Sequence, residues 1–584
     1  MNRQRPLYLF ICVCLWLASN AKSLASDLQQ ENVTTTPAYA DGVVYVASAE
    51  TLGHRGHLRA IDILDTFPRV LWDAAEHVPP AGTSRTQPES VHPDNPCRTA
   101  FTNLDGTFHP LEAGQAERLQ PVLGSASVAE AEILLHAVRG RRGGTPELVA
   151  GTTEDQQRLW GISRSSPVLI SSSRVDQEAR QRPRVLYAGA EDGMLHAFFV
   201  SHWDDHTGSY LIDDPDGGLE LWAYLPGSFL PYLAAQPLDS APGQIAIHLD
   251  GTPVVGEHFV DLDGDGQRNW RTLLVATGTI LQSRRSCLFV LDITDPYQPK
   301  LLWEMPLPGS GVGRTRGVNL AQCEDDSSDC LYLTADFAPQ TGSAGLHALA
   351  VSLTTGQLLW QFSTSYAASG PVAEATPAVP ALMDLDGDNR HDTLVFGDLV
   401  GQLWALDLGE GRAYGEGPVF TVPGGAGEPI GAGVAVQGKV AVFGTGGVAG
   451  TSDLFQYALY AVNISADGGS LRWRYPLRTG EKVWATPLLD AFGNVILATA
   501  TSYLPQAQIN QQVTAGRLVA IDRDGAESSS KETSAATVGR VVASPGIIVS
   551  VDIEGETTQF GTANRLTGPS GAMGSVRILS WKPL

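Results

Sequence analysis

The chain has 584 residues, more than one compact core usually holds, which points to several domains or to one large repetitive architecture. Its 62 Gly and 36 Pro, with 17% charged and 43% hydrophobic residues, describe an ordered, turn-rich protein and favour β-structure over helix bundles. A formal charge of −24 argues against electrostatic binding of DNA or anionic lipid and suits cation-rich extracellular surroundings.

The chain opens with "MNRQRPLYLFICVCLWLASNAKSLAS", in which Arg3 and Arg5 precede an apolar run from Leu7 to Leu17 and small residues at Ser19/Ala21 and Ser23/Ala25. This predicts a secretory signal peptide over 1–25. The run is well short of the ~20 residues that span a bilayer. Cleavage removes Arg3, Arg5 and Lys22 and no acid, so the formal charge moves from −24 to −27.

From residue 42 onward one unit recurs: a β-branched or aromatic strand, a Gly-containing turn, a strand reading "aLxAhD", then a short turn and a strand carrying Trp. Seven copies occupy 42–74, 184–226, 272–305, 330–362, 392–408, 440–475 and 495–525. Six carry a Trp at or near the end: Trp72, Trp222, Trp303, Trp360, Trp404 and Trp473. Units of roughly 40–60 residues built from four short antiparallel strands predict propeller blades. The tryptophans are then expected to fill the gaps between blades. The fold class is an all-β, seven-bladed propeller spanning 26–584.

The segment 76–160 interrupts the series after the first copy. Within it, "SVAEAEILLHAVRG" (127–140) has Ser127 and Glu130 in capping-box spacing and apolar residues at helical period, which predicts a short helix ended by Gly140. The Pro- and Ser-rich "VPPAGTSRTQPESVHPDNP" beside it reads as a long loop. The whole is a loop and helix insertion.

Two acidic loops follow. "VDLDGDGQRNW" spaces Asp261, Asp263, Asp265, Gln267 and Asn269 at positions 1, 3, 5, 7 and 9. "MDLDGDNRHD" does the same with Asp384, Asp386, Asp388, Arg390 and Asp392. Side chains at 1, 3, 5 and 9 with a backbone carbonyl at 7, here from Gln267 or Arg390, suit a hard cation that takes about six to eight oxygen ligands. Both loops are therefore candidate Ca2+ sites, the first weaker because an amide replaces the carboxylate at position 9. The alternative for each is an Asp/Gly-rich turn whose carboxylates accept backbone hydrogen bonds. Neither loop offers the Cys or paired His that zinc prefers.

Four cysteines follow the signal peptide: Cys97, Cys287, Cys323 and Cys330. Their even number in an exported chain suggests disulfides, Cys323 with Cys330 across "CEDDSSDC" and, by default, Cys97 with Cys287. No GxSxG, HExxH or P-loop motif occurs, and an adjacent Cys pair of the kind quinone-dependent propeller dehydrogenases use is lacking. His196 and His248 alternate with apolar residues and read as packed side chains. A non-enzymatic protein is expected, the alternatives being a periplasmic quinone-dependent propeller enzyme or a propeller scaffold for outer-membrane protein assembly.

The stretch "DLDGDNRHDTLVFGDLVGQLWALDL" resembles the calcium loop and following strand pair of PilY/PilC-type proteins of type IV pili. Other segments match that family in the same order, among them "GHLRAIDI", "RLWGISRSSPVLI", "YAGAEDGMLHAF", "LFVLDITDPYQPKLLWEM", "VFGTGGVAGTSDLFQYALYAV" and the terminal "RILSWKPL". The resemblance covers most of 40–584. It implies a modified propeller that promotes pilus assembly in a calcium-dependent manner, contacts minor pilins and takes part in adhesion. It also implies a calcium ligand set at Asp384, Asp386, Asp388, Arg390 and Asp392, and a place in the periplasm, at the outer-membrane surface or at the pilus tip. The chain departs from the family in having no Asp-x-Ser-x-Ser motif of a von Willebrand A-type domain, and in carrying Ser163 and Arg164 in "SRSSPV", where the family often has a Gly-Asp sequence.

Overall fold

The computed structural model describes residues 31–580 except 33–34, 51–54, 64–68, 79–98, 139–158, 174, 178, 237–244, 263, 324–328, 339–343, 368–374, 449, 502–515, 534–541, 545–546, 552–556 and 563–575. The segment predicted as a signal peptide, the Pro- and Ser-rich stretch, Cys97, Gly140 and Asp263 lie outside the described residues. The chain is 49% strand and 8% helix, and the seven repeats form seven small sheets of a β-propeller. No helix among the described residues is long and apolar enough to cross a membrane.

The four strands of each repeat run from innermost to outermost in chain order. The fourth is the plainest case, with Val312–Gln322, Asp329–Phe337, Ala344–Ser352 and Leu358–Tyr366 paired antiparallel in sequence. The middle strands are buried on both faces, so they read as near-continuous apolar runs such as "LHAFFVS" in the second blade. One addition to the seven is a further four-stranded sheet, from Val542–Ser544 to Val576–Ser580, whose first strand lies against Ala38–Ala40 of the first blade. It lacks the "aLxAhD" strand by which the repeats are recognised.

The recurring Ala and Trp have a shared geometric cause. In six blades the register between third and fourth strands shifts at a bulge within that motif. In five of them a Trp stands opposite the residue at the bulge, Ala in four and Val in one: Trp72 on Ala60, Trp222 on Ala197, Trp303 on Val290, Trp360 on Ala350 and Trp473 on Ala461. The indole N–H then reaches the following blade. Trp222 donates to the Pro296 carbonyl (2.8 Å), Trp303 to Leu353 (2.8 Å), Trp360 to Leu408 (2.8 Å) and Trp473 to Arg523 (3.0 Å). The turns receiving Trp360 and Trp473 contain Gly411 and Gly525, both at positive φ, where a Cβ would lie 2.5 and 2.7 Å from the indole. Trp404 differs, since it sits on a third strand and donates to Asp398 Oδ2 within its own blade (3.0 Å).

The insertion holds more than a loop and a helix. Ala100–Leu104 and Thr107–Pro110 form a hairpin on an Asp105-Gly106 turn with both residues at positive φ, and Ala100 pairs in parallel with Ala223 to widen the second blade to six strands. The helix is Val128–Val138, where Ser127 Oγ accepts the Glu130 N–H (3.2 Å) while the Glu130 carboxylate accepts from Ala126 one residue earlier than a strict capping box requires.

His196 is fully buried between Glu220 (2.7 Å) and Asp192 (3.3 Å). Burial alone would lower its pKa, but the two carboxylates outweigh it and raise the value from 6.5 to about 9. A raised histidine stabilises fully below its unfolded pKa and loses that contribution as pH climbs through the folded one. The unfolding free energy from urea denaturation is therefore expected to fall between pH 6.5 and 9, by up to roughly 2–3 kcal/mol. The decline over that window should vanish in His196→Asn, and an unchanged slope in the variant would refute the assignment.

Candidate metal centre

The 384–392 loop joins the first strand of the fifth blade, Ala381–Met383, to the second, Thr393–Gly397, and Asp392 N–H closes it on the Met383 carbonyl (3.0 Å). Asp384 accepts the N–H groups of Gly387 (2.6 Å) and Asn389 (2.8 Å), Asp386 that of Asp388 (3.0 Å), and Asp388 that of Arg390 (2.8 Å). Gly387 and Asn389 are both at positive φ, 93° and 70°, which bends the chain round the carboxylates. One oxygen of each of Asp384, Asp386 and Asp388 lies within 4.8 Å of the others. Asp392 is not in that group; its carboxylate accepts Leu385 N–H (3.0 Å), Asp386 N–H (3.0 Å) and the Thr393 hydroxyl (2.6 Å).

The Gly387 N–H, the largest influence, keeps Asp384 below its usual pKa. Three anions at this spacing repel by about 1 kcal/mol per pair even in bulk water, and a divalent cation would remove that repulsion. The set offers hard oxygen ligands only, which suits Ca2+ or Mg2+ over zinc.

The 261–269 loop occupies the same turn of the third blade, between Val254–Val260 and Asn269–Ile280. Asp261 accepts from Gly264 (2.8 Å) and Gly266 (2.8 Å), and Asp265 from Gln267 (2.8 Å). Counted from the first Asp, these donors stand at the same offsets as Gly387, Asn389 and Arg390. Gly264 and Gly266 are again at positive φ, so Asn389 does at position 6 what Gly266 does here. Asn269 pairs with Val260 at the start of the second strand.

Cys323 and Cys330 form a disulfide with Cα atoms 5.2 Å apart. Cys287 is a free thiol, contrary to the expected pairing with Cys97; it is buried in the core shared by the second and third blades, and burial pushes its pKa up to about 12. Among the described residues one further group could hold a metal, His202 with Asp214 and Asp216; it left no sequence signal because its members meet across a long turn, where His202 Nδ1 lies 3.0 Å from Asp214.

The chain matches no family model. It is 28% identical over 258 residues to the type IV pilus biogenesis factor PilY1 of Pseudomonas aeruginosa, a match covering 42% of this chain and 19% of that protein. A PilY1 homologue of Xylella fastidiosa is 27% identical over 266 residues, 45% of this chain and 19% of the homologue. The matched stretch thus spans about a fifth of these relatives. Among solved structures, a quinohemoprotein alcohol dehydrogenase of Pseudomonas putida HK5 superposes with a TM-score of 0.42 at 12% identity, covering 92% of this chain and 70% of that one. BamB of Moraxella catarrhalis gives 0.30 at 14% identity, with 68% and 99% covered. No functional reading rests on similarities of that size. The resemblance read from the ordered motifs therefore holds: over 42% of its length the chain is similar to the PilY1-type biogenesis factors of type IV pili.

Proposed function

We propose that this chain is an exported, non-enzymatic, calcium-binding propeller that promotes the assembly and stability of type IV pili by contacting minor pilins, with a share in adhesion. The observation that carries the pilus reading is the alignment with PilY1 factors from two organisms. The calcium reading is supported by the 384–392 loop, where oxygens of three carboxylates lie within 4.8 Å of one another, and by the same backbone-donor offsets in the 261–269 loop. In this mechanism the ion fixes a loop at the edge of a blade in one conformation, and a pilin-binding surface forms only in that state.

The test is genetic. A strain lacking the gene should carry few surface pili and twitch poorly. The wild-type gene should restore both, whereas Asp384→Ala should restore them only in part. Normal piliation and twitching in the deletion strain would overturn the pilus role, and full rescue by Asp384→Ala would overturn the role of the loop.

A further inference from the structure

In a propeller the chain enters every inner strand from the same face, so the segments preceding those strands ring one mouth of the central channel. Here they include 161–167 before Val168–Ile170, 249–253 before Val254–Val260, the start of Val312–Gln322, and 429–434 before Ala435–Gln437. These segments carry Arg164, Asp250, Arg314, Arg316 and Gly431. The two acidic loops join first to second strands and so lie at the opposite face.

Arg316 crosses this mouth. From the fourth blade, its Nη1 donates to the Gly431 carbonyl at the entrance to the sixth (3.2 Å). Its side chain is exposed to solvent there. Arg164 is placed by its neighbours: Ser165 Oγ donates to the Gly251 carbonyl (3.1 Å), and Thr252 Oγ1 accepts the Ser166 N–H (3.0 Å).

The charges at this mouth do not balance. The charged groups acting on Arg316 are Arg164, Arg314 and Asp250, two like charges against one acid. Arg314 is already matched by Asp336, at 3.0 Å from Nε and 2.7 Å from Nη2. That leaves Arg164 and Arg316 with one carboxylate, Asp250, which approaches Arg164 only to 3.9 Å and accepts the Thr279 hydroxyl (2.8 Å). Other acids on this face are engaged: Glu191 accepts from Ser163 (2.7 Å), Asp192 lies 3.3 Å from His196, Glu428 accepts from Tyr460 (2.7 Å) and Asp398 from Trp404 (3.0 Å). Among the described residues, no carboxylate stands within ion-pair distance of Arg316. A residue serving only to brace the channel would not need a second guanidinium held near it, least of all in a chain with a net charge of −24.

We propose that Arg164 and Arg316 form a binding site for an oxyanion, a carboxylate or phosphate group that enters the channel mouth on the face opposite the acidic loops. Two planar guanidiniums present forked N–H donors that fit the paired oxygens of either group.

Calorimetric titration of the purified protein with citrate and, separately, with inorganic phosphate, in about 0.1 M NaCl to screen diffuse attraction, tests the site. Saturable binding is expected in at least one arm, and the arm that binds identifies the anion. Arg316→Gln and Arg164→Gln should each weaken it about tenfold. Arg472→Gln, on an outer strand, should leave it within about twofold. Arg164 is exposed on its loop, with a side chain 55% accessible, so its variant carries the comparison if Arg316→Gln does not fold. No saturable binding in either arm, or an unchanged affinity in the folded variants, overturns the proposal.

Discussion

In millimolar calcium the protein is expected to melt at a higher temperature than in a chelator, and Asp384→Ala should abolish most of that rise. A ligand present at about 100 times its dissociation constant stabilises the folded state by about 2.7 kcal/mol. Asp384→Ala also lowers stability without the ion, because Gly387 and Asn389 lose the carboxylate that accepts their N–H groups. Asp388→Asn separates the two effects. Its amide oxygen can still accept from Arg390 N–H, now 2.8 Å from Asp388 Oδ1, while the charge is gone. Melting in chelator should therefore match wild type while the calcium increment shrinks. Asp261→Ala should remove a smaller increment than Asp384→Ala, since Asn269 offers no charge at position 9 of its loop. An undiminished calcium response in both Asp384→Ala and Asp388→Asn would refute the site and leave the loop a polar turn.

The sequence carried the repeating part of the fold because each blade buries the same surfaces. The "aLxAhD" strand and the trailing Trp recur since an Ala at the bulge, or Val290 in the third blade, and an indole opposite it solve one packing problem five times. Where the chain solves the problem differently, the signal weakens: the sheet from Val542 to Ser580 has no such strand, and Trp404 bonds within its own blade. The hairpin at 100–110 went unread although Asp105-Gly106 is a strong turn signal, because its strands are short and pair with a strand more than a hundred residues away. The Asp loops were legible from spacing alone, since their donors and acceptors all lie within nine residues. The channel mouth was not. Arg164, Asp250, Arg316 and Gly431 come from four separate segments, and only closure of the ring brings them together. Cysteine parity misled for a related reason: Cys287 points into a core between blades, and counting thiols says nothing about where they point.

The largest loss of stability is expected from Arg517→Met. Arg517 lies on the third strand of the seventh blade and is 4% exposed. Its Nη2 stands 3.0 Å and its Nε 3.1 Å from the Glu481 carboxylate, itself 6% exposed, and its Nη1 stands 3.1 Å from Glu527. Glu481 precedes the inner strand and Glu527 begins the outer one, so a single guanidinium ties three strands together. Burial by itself would lower the arginine's pKa, yet Glu481 holds it above the ordinary value. Methionine fills similar space but leaves Glu481 in the interior without its counter-charge, a change that costs about 3–5 kcal/mol. Arg517→Lys should fall between, because a single ammonium cannot bond both carboxylate oxygens in a fork. Glu481→Gln on the Arg517→Met background should recover much of the loss, since the stranded charge is what destabilises. The pH dependence checks the cause. An unpaired buried glutamate has its folded pKa raised, so its penalty is full above that value and shrinks as pH falls through it. Denaturation of Arg517→Met should thus approach wild type toward pH 5, and a deficit independent of pH would attribute the loss to packing instead of charge.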